Sequence, residues 1–376
     1  MSPPAMAMTD DFDARDQTDM FQKGVKHLFE NGVNKLPKKY ILPVSDRPNV
    51  DKQHPNVANS NLKLPIIDFA ELQGPNRSQI LNSLSSACQE YGFFQVVNHG
   101  IPIEVIKNMI DVSGRFFGMS YEERAKYMTA DMSSPVRYGT SFNQTKDSVF
   151  SWRDFLKLIC NPLPEVLPRW PSSPVDFREL AANYAKETKN LFLKITEAIL
   201  ESLGVWGASS DKTGESDDEI LKQFENGSQL MVVNCFPPCP EPDLTLGMPP
   251  HSDYGFLTLV LQDGVEGLQI QHKGKWITVE PMLNSFVVNV GDHLEIFSNG
   301  RYKSVLHRVL VNPAKPRLSV ATLHSLPFDR MVGPSPKLID EANPRRYMDT
   351  DFATFLEYIS SREPKKKNFL ESRKLT

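Results

Sequence analysis

Apolar residues recur at two different periods along this chain, and the period changes near residue 228. In residues 77–91, Ile80, Leu81, Leu84, Ala87, Cys88 and Tyr91 fall three and four apart, which predicts a helix stopped by Gly92. Residues 103–118 and 121–127 read the same way, and Ser120 followed by Glu123 matches a capping box. A long helix is expected over about 174–203 from Phe177, Leu180, Tyr184, Leu191, Phe192, Ile195, Ile199 and Leu203, capped by Gly204. A short one over 21–33 would carry Phe21, Val25, Leu28 and Phe29 on one face and end at Asn31-Gly32. Leu64–Phe69 and Phe93–Val97 read as strands, while Ser133–Pro168, rich in aromatics and turn residues, reads as irregular chain covering a pocket.

Beyond Ser228 the runs are short, β-branched and apolar. They cover 229–235, 256–262, 267–272, 276–280, 285–290, 293–297, 304–311 and 317–324, punctuated by Lys273-Gly274, Gly291-Asp292 and Asn299-Gly300. Many short strands at regular spacing predict a sandwich or barrel. Tyr347–Leu370 returns to helix, with Phe352, Phe355, Leu356 and Ile359 apolar. No repeat and no Gly/Ser linker separates the halves, so they are expected to share one core. The predicted class is α+β: a double-stranded β-helix, or jelly roll, with helices packed around it. The implied organisation is an acidic disordered extension over 1–20 and a mostly helical N-terminal module over 21–205. A jelly-roll domain follows over 225–330, and a C-terminal helical segment over 331–376 packs on the core.

Composition narrows the function. The hydrophobic fraction of 40% and charged fraction of 23% over 376 residues suit a globular protein. The net charge of −4, from 42 Lys+Arg against 46 Asp+Glu, gives no electrostatic case for nucleic acid or anionic membrane as partner. No run approaches the ~18 apolar residues of a membrane span. Asp10, Asp11, Asp13, Asp16 and Asp19 argue against a transit peptide. Cys88, Cys160, Cys235 and Cys239 suggest no disulfide framework, so a reducing, cytoplasmic setting is expected. Cys235 and Cys239 are four apart, but Pro237, Pro238 and Pro240 crowd them and no second pair sits at finger spacing. That proline-rich stretch reads as a rigid loop beside the site, and Lys365–Lys367 as a solvated helix face. The chain is expected to be monomeric.

The chemistry concentrates between residues 249 and 319. In a strand, residues i and i+2 face the same way, so His251 and Asp253 can address one atom. His307, 307 − 253 = 54 residues further on, lies in a second alternating run. Two neutral imidazoles and one carboxylate leave three octahedral positions open, the donor set of non-haem iron(II) oxygenases. Zinc is the rival that spacing alone does not exclude. Arg317 and Ser319, again i and i+2, can grip a carboxylate by a bidentate fork and a hydroxyl. An open metal beside such a clamp suggests a dicarboxylate cosubstrate that chelates with one end and is held by the other. A zinc hydrolase reading would lack a general base near His251 and leave Arg317 and Ser319 without a role.

These residues resemble the plant iron(II)/2-oxoglutarate-dependent dioxygenases of hormone and specialised metabolism, in particular members labelled flavanone 3-dioxygenase-like. The likeness runs from about residue 21 to 371. It is carried by LPIIDFAEL (64–72), ACQEYGFFQVVNHGI (87–101), VNCFPPCPEPDLTLGMPPHSDYGFLTLVLQD (233–263), GLQIQHKGKWITVEP (267–281), SFVVNVGDHLEIFSNGRYKSVLHRVLVN (285–312) and PRLSVATLHSLP (316–327). The resemblance implies Fe(2+) on His251, Asp253 and His307. It places 2-oxoglutarate against Arg317, Ser319 and Asn234, with O2 as second cosubstrate and ascorbate supporting activity. Oxidative decarboxylation would yield succinate and CO2 while a small-molecule substrate is hydroxylated: a phenolic or flavonoid, a terpenoid of gibberellin type, or an indole. Desaturation or demethylation uses the same chemistry. A non-catalytic ligand-binding homologue is the alternative, and the five intact site residues weigh against it. No catalytic residue beyond the metal centre is implied.

One position departs from the family pattern. Phe236 stands where the family usually has a tyrosine that can bond 2-oxoglutarate, at an expected cost of about 0.5–1.5 kcal/mol. For the substrate pocket, the resemblance points to Leu323 and Ser325, a pair that counts against anthocyanidin synthase-like activity. Tyr138, Phe142 and Trp152 are expected to form a lid. His324 should point away from Leu323, and His272 should be exposed.

Overall fold

The computed structural model describes residues 23–48, 63–142, 144, 147–206, 217–361 and 368–375. The acidic extension, Phe21 and Lys365–Lys367 lie outside them.

Alternation shapes the second half of the chain. The strands are β1 Ile66–Asp68, β2 Phe93–Val97, β3 Val136–Thr140, β4 Asp154–Ile159, β5 Ser228–Phe236, β6 Met248–His251, β7 Leu257–Gln262, β8 Leu268–His272, β9 Lys275–Thr278, β10 Phe286–Val290, β11 His307–Val309 and β12 Arg317–Ser325. They form a large sheet in the order β1-β2-β10-β7-β12-β5-β4-β3 and a small sheet in the order β6-β11-β8-β9. This is the expected double-stranded β-helix. β12 lies between β7 and β5 and pairs with both along most of its length.

The helices are α1 Val25–Glu30, α2 Arg77–Glu90, α3 Ile103–Gly118, α4 Tyr121–Ala125, α5 Leu163–Val166, α6 Phe177–Ser202, α7 Asp217–Glu225, α8 Asp292–Phe297 and α9 Phe352–Ser361. The apolar stripes of α3 (Met109, Val112, Phe116) and α6 (Ile195, Ile199) join Leu156, Leu158, Met231, Val233, Leu259 and Val320 in the main core. Each such side chain stabilises the fold by about 1.5–3 kcal/mol on burial. The core therefore lies on one face of the large sheet. The opposite face looks toward the small sheet. There a second apolar cluster, with Phe93, Leu268, Ile270 and Val287, fills only part of the gap. The remainder is polar, and it contains the site.

Several elements differ from expectation. Ser133–Pro168 is not irregular: β3 and β4 pair with each other and extend the large sheet from β5. Residues 293–297 form α8 rather than a strand. The first N–H groups of that helix are taken up by carbonyls of the loop opposite, Asp292 N to Asp253 O at 2.7 Å and His293 N to Gly255 O at 3.1 Å. The first helix is shorter than expected, with Val25 and Leu28 buried and Phe29 40% exposed. Asp154 holds its start, accepting from Val25 N at 2.8 Å and Lys26 N at 3.0 Å. The C-terminal helix begins only at Phe352, and Tyr347 instead bridges to Lys374. α7 carried no expectation. The half of the capping box carried by Ser120 is formed, its hydroxyl accepting from Glu123 N at 3.4 Å. His272 is half-buried and stacked on Tyr91, with centroids 4.8 Å apart. No helix of the described residues is long and apolar enough to cross a membrane.

Candidate metal centre

His251 ends β6 and His307 begins β11, and the two are direct partners across the small sheet. Direct cross-strand partners project side by side, and the two imidazole centroids are 4.1 Å apart. Asp253 lies just past β6, with Oδ1 3.7 Å from Nε2 of each histidine. One donor atom from each of the three lies within 4.8 Å of the others. His251 Nδ1 is 2.9 Å from Pro249 O, and His307 Nδ1 is 3.3 Å from Val305 O. A carbonyl can only accept, so each Nδ1 carries the proton and each Nε2 presents a lone pair toward the carboxylate. Two lone pairs and an anion converging on one point repel one another, and a cation between them removes that repulsion.

The protonation states agree. Burial, helped by the neighbouring His307, pushes the His251 pKa down to about 3, so the ring is neutral. Burial alone would raise the Asp253 carboxyl. Attraction to the neighbouring histidines whenever one of them is protonated, together with the Asn289 amide that donates to Oδ2 at 2.8 Å, outweighs it and holds the group below the usual carboxylate range. These are the deprotonated forms that metals require, so the donor set fits a divalent ion with open positions.

Arg317 is the first residue of β12 and Ser319 shares its face. The guanidinium is fixed on three sides. Nε donates to Val265 O at 3.1 Å, Nη1 to Ser319 Oγ at 3.3 Å and Nη2 to Gln262 Oε1 at 2.8 Å. Two of its five N–H groups are left without a protein partner among the described residues. Its central carbon sits 5.2 Å from the centre of the Phe236 ring, the residue directly opposite on β5. Burial lowers its pKa to about 10, with Asp263 opposing, so it stays charged at neutral pH. Asn234 is cross-strand partner to Ser319, and its Oδ1 accepts from Arg153 Nη1 at 3.2 Å.

The expected pocket residues divide. Leu323 and Ser325 share the face of Arg317 and Ser319 by strand alternation, and Ser325 Oγ lies 2.6 Å from His293 Nδ1. Phe142 is 37% exposed and follows Ser141 in the turn after β3. Tyr138 and Trp152 form no lid. Tyr138 points to the helix side, packing on Phe116 and Phe117, and its hydroxyl donates to Asp154 at 2.9 Å. Trp152 is sealed with Val25, Leu28 and Tyr40, and its indole N–H donates to Pro237 O at 3.0 Å. His324 does point away from Leu323, stacking on Phe192 at 4.4 Å. Gln262, Asn289 and Arg153 were missed. The available signal was a lone polar residue on the inward parity of an apolar run, as in Phe286-Val-Val-Asn-Val290.

The sequence matches two family models. One, described as the 2OG-Fe(II) oxygenase superfamily, covers residues 227–325. The other, described as non-haem dioxygenase in morphine synthesis N-terminal, covers residues 64–174. The chain is 41% identical over 327 residues to Protein DMR6-LIKE OXYGENASE 2 of Arabidopsis thaliana, covering 86% of this chain and 90% of that one. The chain belongs to the 2OG-Fe(II) oxygenase superfamily. Within this superfamily it is also 38% identical over 338 residues to Flavanone 3-dioxygenase 2 of Oryza sativa subsp. japonica, covering 89% and 93% of the two chains. To Feruloyl CoA ortho-hydroxylase 2 of Arabidopsis thaliana it is 36% identical over 355 residues, covering 93% of each. The crystal structure of JOX2 in complex with 2OG, Fe and JA superposes with a TM-score of 0.81 at 32% identity, covering 94% of this chain and 98% of that one. The protein is thus a plant-type dioxygenase that uses Fe(II) and 2-oxoglutarate to oxidise a small molecule.

Proposed function

We propose that His251, Asp253 and His307 hold the iron, and that Arg317, Ser319 and Asn234 receive 2-oxoglutarate. The observation that carries this reading is the convergence of two Nε2 lone pairs on one carboxylate oxygen, each at 3.7 Å. When bound, iron with 2-oxoglutarate and O2 supplies an oxidative decarboxylation to succinate and CO2 coupled to oxidation of a substrate C–H bond. The chain's own part is placement. Pro249 O and Val305 O orient the imidazoles, Asn289 orients Asp253, and Gln262, Val265 and the Phe236 ring hold the Arg317 fork where a distal carboxylate can meet it. Phe236 does not offer a hydroxyl; it supports the arginine that does the gripping.

The reaction in this reading is hydroxylation of a small plant metabolite. Flavanone 3-dioxygenase 2 and Feruloyl CoA ortho-hydroxylase 2 carry phenolic compounds in their names, which favours a phenolic substrate over a terpenoid or indole. Leu323, Ser325 and Phe142 are proposed to line its pocket. We further propose a cytoplasmic monomer without nucleic-acid or membrane partners, organised as modules over 21–205, 225–330 and 331–376, whose activity ascorbate supports. The test is an untargeted comparison of plant metabolite extracts incubated with and without the protein, Fe(II), 2-oxoglutarate and ascorbate. The expected result is a metabolite gaining one oxygen atom in step with succinate. Absence of succinate across the extracts would overturn the reading.

A further inference from the structure

β3 and β4 extend the large sheet beyond β5, and the face they turn toward the small sheet is cationic. Arg153, Phe155 and Lys157 occupy alternate positions there, and Arg137 of β3 lies opposite Lys157. Arg137 is 5% exposed and Arg153 6%. Their guanidinium carbons lie 5.1 and 5.0 Å from the centre of the same Phe155 ring. Arg153 Nη2 donates to Ser141 O at 2.9 Å, and Arg137 Nη2 to the next carbonyl, Phe142 O, at 3.0 Å. Two like charges are therefore buried as neighbours. Neither forms an ion pair among the described residues. Arg153 Nε is buried with no hydrogen-bond partner among the described residues.

The surrounding acids favour the charged forms but form no direct ion pair with either arginine among the described residues. Asp147 shapes the turn, accepting from Ser141 Oγ at 2.9 Å and Phe142 N at 3.1 Å, and attracts both arginines without being the direct ion-pair partner of either among the described residues. Asp131 acts on Arg137 and Lys157 from outside the strands, and Lys157 itself is tied to Met132 O at 2.7 Å. Asp154 faces the helices, bonded to Tyr138 and α1, and attracts Arg153 from the opposite side of β4. Burial is the main influence on both guanidinium groups and disfavours their charged forms. An unpaired buried charge is costly, and a matching anion reverses that cost.

Arg153 is the member of the pair that reaches the candidate metal centre, while Arg137 is tied back to Thr129 O at 3.1 Å and Phe142 O at 3.0 Å. Arg153 Nη1 bonds Asn234, the cross-strand partner of Ser319, and its charge is felt at His251. 2-Oxoglutarate does not need these arginines: one of its carboxylates goes to the metal and the other to Arg317. Phe155, Val232 and Leu323 share the face and offer apolar contact beside the charges. We propose that Arg153 and Arg137 form a carboxylate-recognition subsite, so that the substrate is a small organic acid with an apolar body. Planar forks suit a carboxylate bidentately, and the Phe155 ring holds both forks in place. This inference rests on the proposed function, since it takes Arg317 as the cosubstrate clamp.

The test uses protein loaded anaerobically with Fe(II) and saturating 2-oxoglutarate. Titration calorimetry measures matched pairs: cinnamate against cinnamamide, and phenylacetate against phenylacetamide. The acids should bind at least about tenfold more tightly than the amides. Arg153→Gln and Arg137→Gln should each bring that ratio to within about threefold, and Arg153→Lys, which keeps the charge, should retain part of it. The affinity for 2-oxoglutarate and the melting temperature are measured on the same samples. The inference is overturned if wild-type protein binds no acid or does not prefer acids. It is also overturned if the preference survives both glutamine variants, or if those variants weaken 2-oxoglutarate alone. If wild-type protein binds no 2-oxoglutarate, the cosubstrate reading fails instead, and the same acid–amide ratio measured without cosubstrate still reports on the arginine pair.

Discussion

At the scale of the residue, Phe236 shows how a missing group is replaced. Its ring lies under the Arg317 guanidinium, and Gly247 makes room for it: a Cβ there would lie 2.6 Å from Phe236 Cδ1. Such cation–π contact is worth about 0.5–2 kcal/mol. Phe236→Leu should therefore weaken 2-oxoglutarate binding by about 2–30-fold, whereas Phe236→Tyr, which keeps the ring, should leave it within about tenfold. Equilibrium titration of 2-oxoglutarate into anaerobic Fe(II) protein reads both. Asn289 makes a similar case for the metal. Asn289→Ala removes the donor to Asp253 Oδ2 and should lower Fe(II) affinity by about 10–100-fold without unfolding the chain. The nearness of His251 to Asp253 and the shared face of Arg317 and Ser319 were legible because a two-residue period fixes which side chains of one strand share a face. Asn289, Gln262 and Arg153 were not. Their partners are chosen by the register of strands far apart in sequence, which no local pattern encodes.

At the scale of the element, α8 positions the loop that carries Asp253. Its N-terminal N–H groups are satisfied by the carbonyls of Asp253 and Gly255, so helix and ligand loop fix each other. Gly291 sits at the junction, where a Cβ would meet Gly255 O at 2.0 Å. Gly291→Ala should lower stability by about 1–3 kcal/mol and reduce metal affinity with it, measured by denaturant unfolding and metal titration. Residues 293–297 looked like a strand because five residues are too few to separate the two periods, and only the tertiary partners decide. β3 and β4 were hidden for a related reason: their aromatic and charged residues serve both faces of a sheet buried on both sides. His324 tests the packing of β12 on α6. Burial, aided by Lys189, holds its pKa at about 3, so the folded state refuses a proton that the unfolded chain accepts below about pH 6.5. Wild-type protein should lose stability relative to His324→Phe by about 1.4 kcal/mol per pH unit as pH falls from 6.5 toward 3, with no such trend above 6.5. Urea unfolding at pH 7.5 and 5.5 reads the difference, and a pH-independent gap would contradict it.

At the scale of the molecule, the two faces of the large sheet divide the work. Helices cover one face and supply most of the apolar burial, while the other face, with the small sheet, keeps a polar interior in which metal, cosubstrate and substrate can meet. A ligand that binds only the folded state stabilises it by mass action, about 2.7 kcal/mol at a hundred times Kd. Fe(II) and 2-oxoglutarate together should therefore raise the melting temperature more than either alone. The central claim is that His251, Asp253, His307 and the Arg317 clamp form one working centre. It is tested most directly by succinate released from 2-oxoglutarate under air, with Fe(II) and ascorbate, by wild-type protein, His307→Ala and Arg317→Met. Wild-type protein should release succinate. His307→Ala should fold, fail to retain iron and release none. Arg317→Met should retain iron but need about 100-fold more 2-oxoglutarate. Undiminished succinate release by folded His307→Ala would contradict the account.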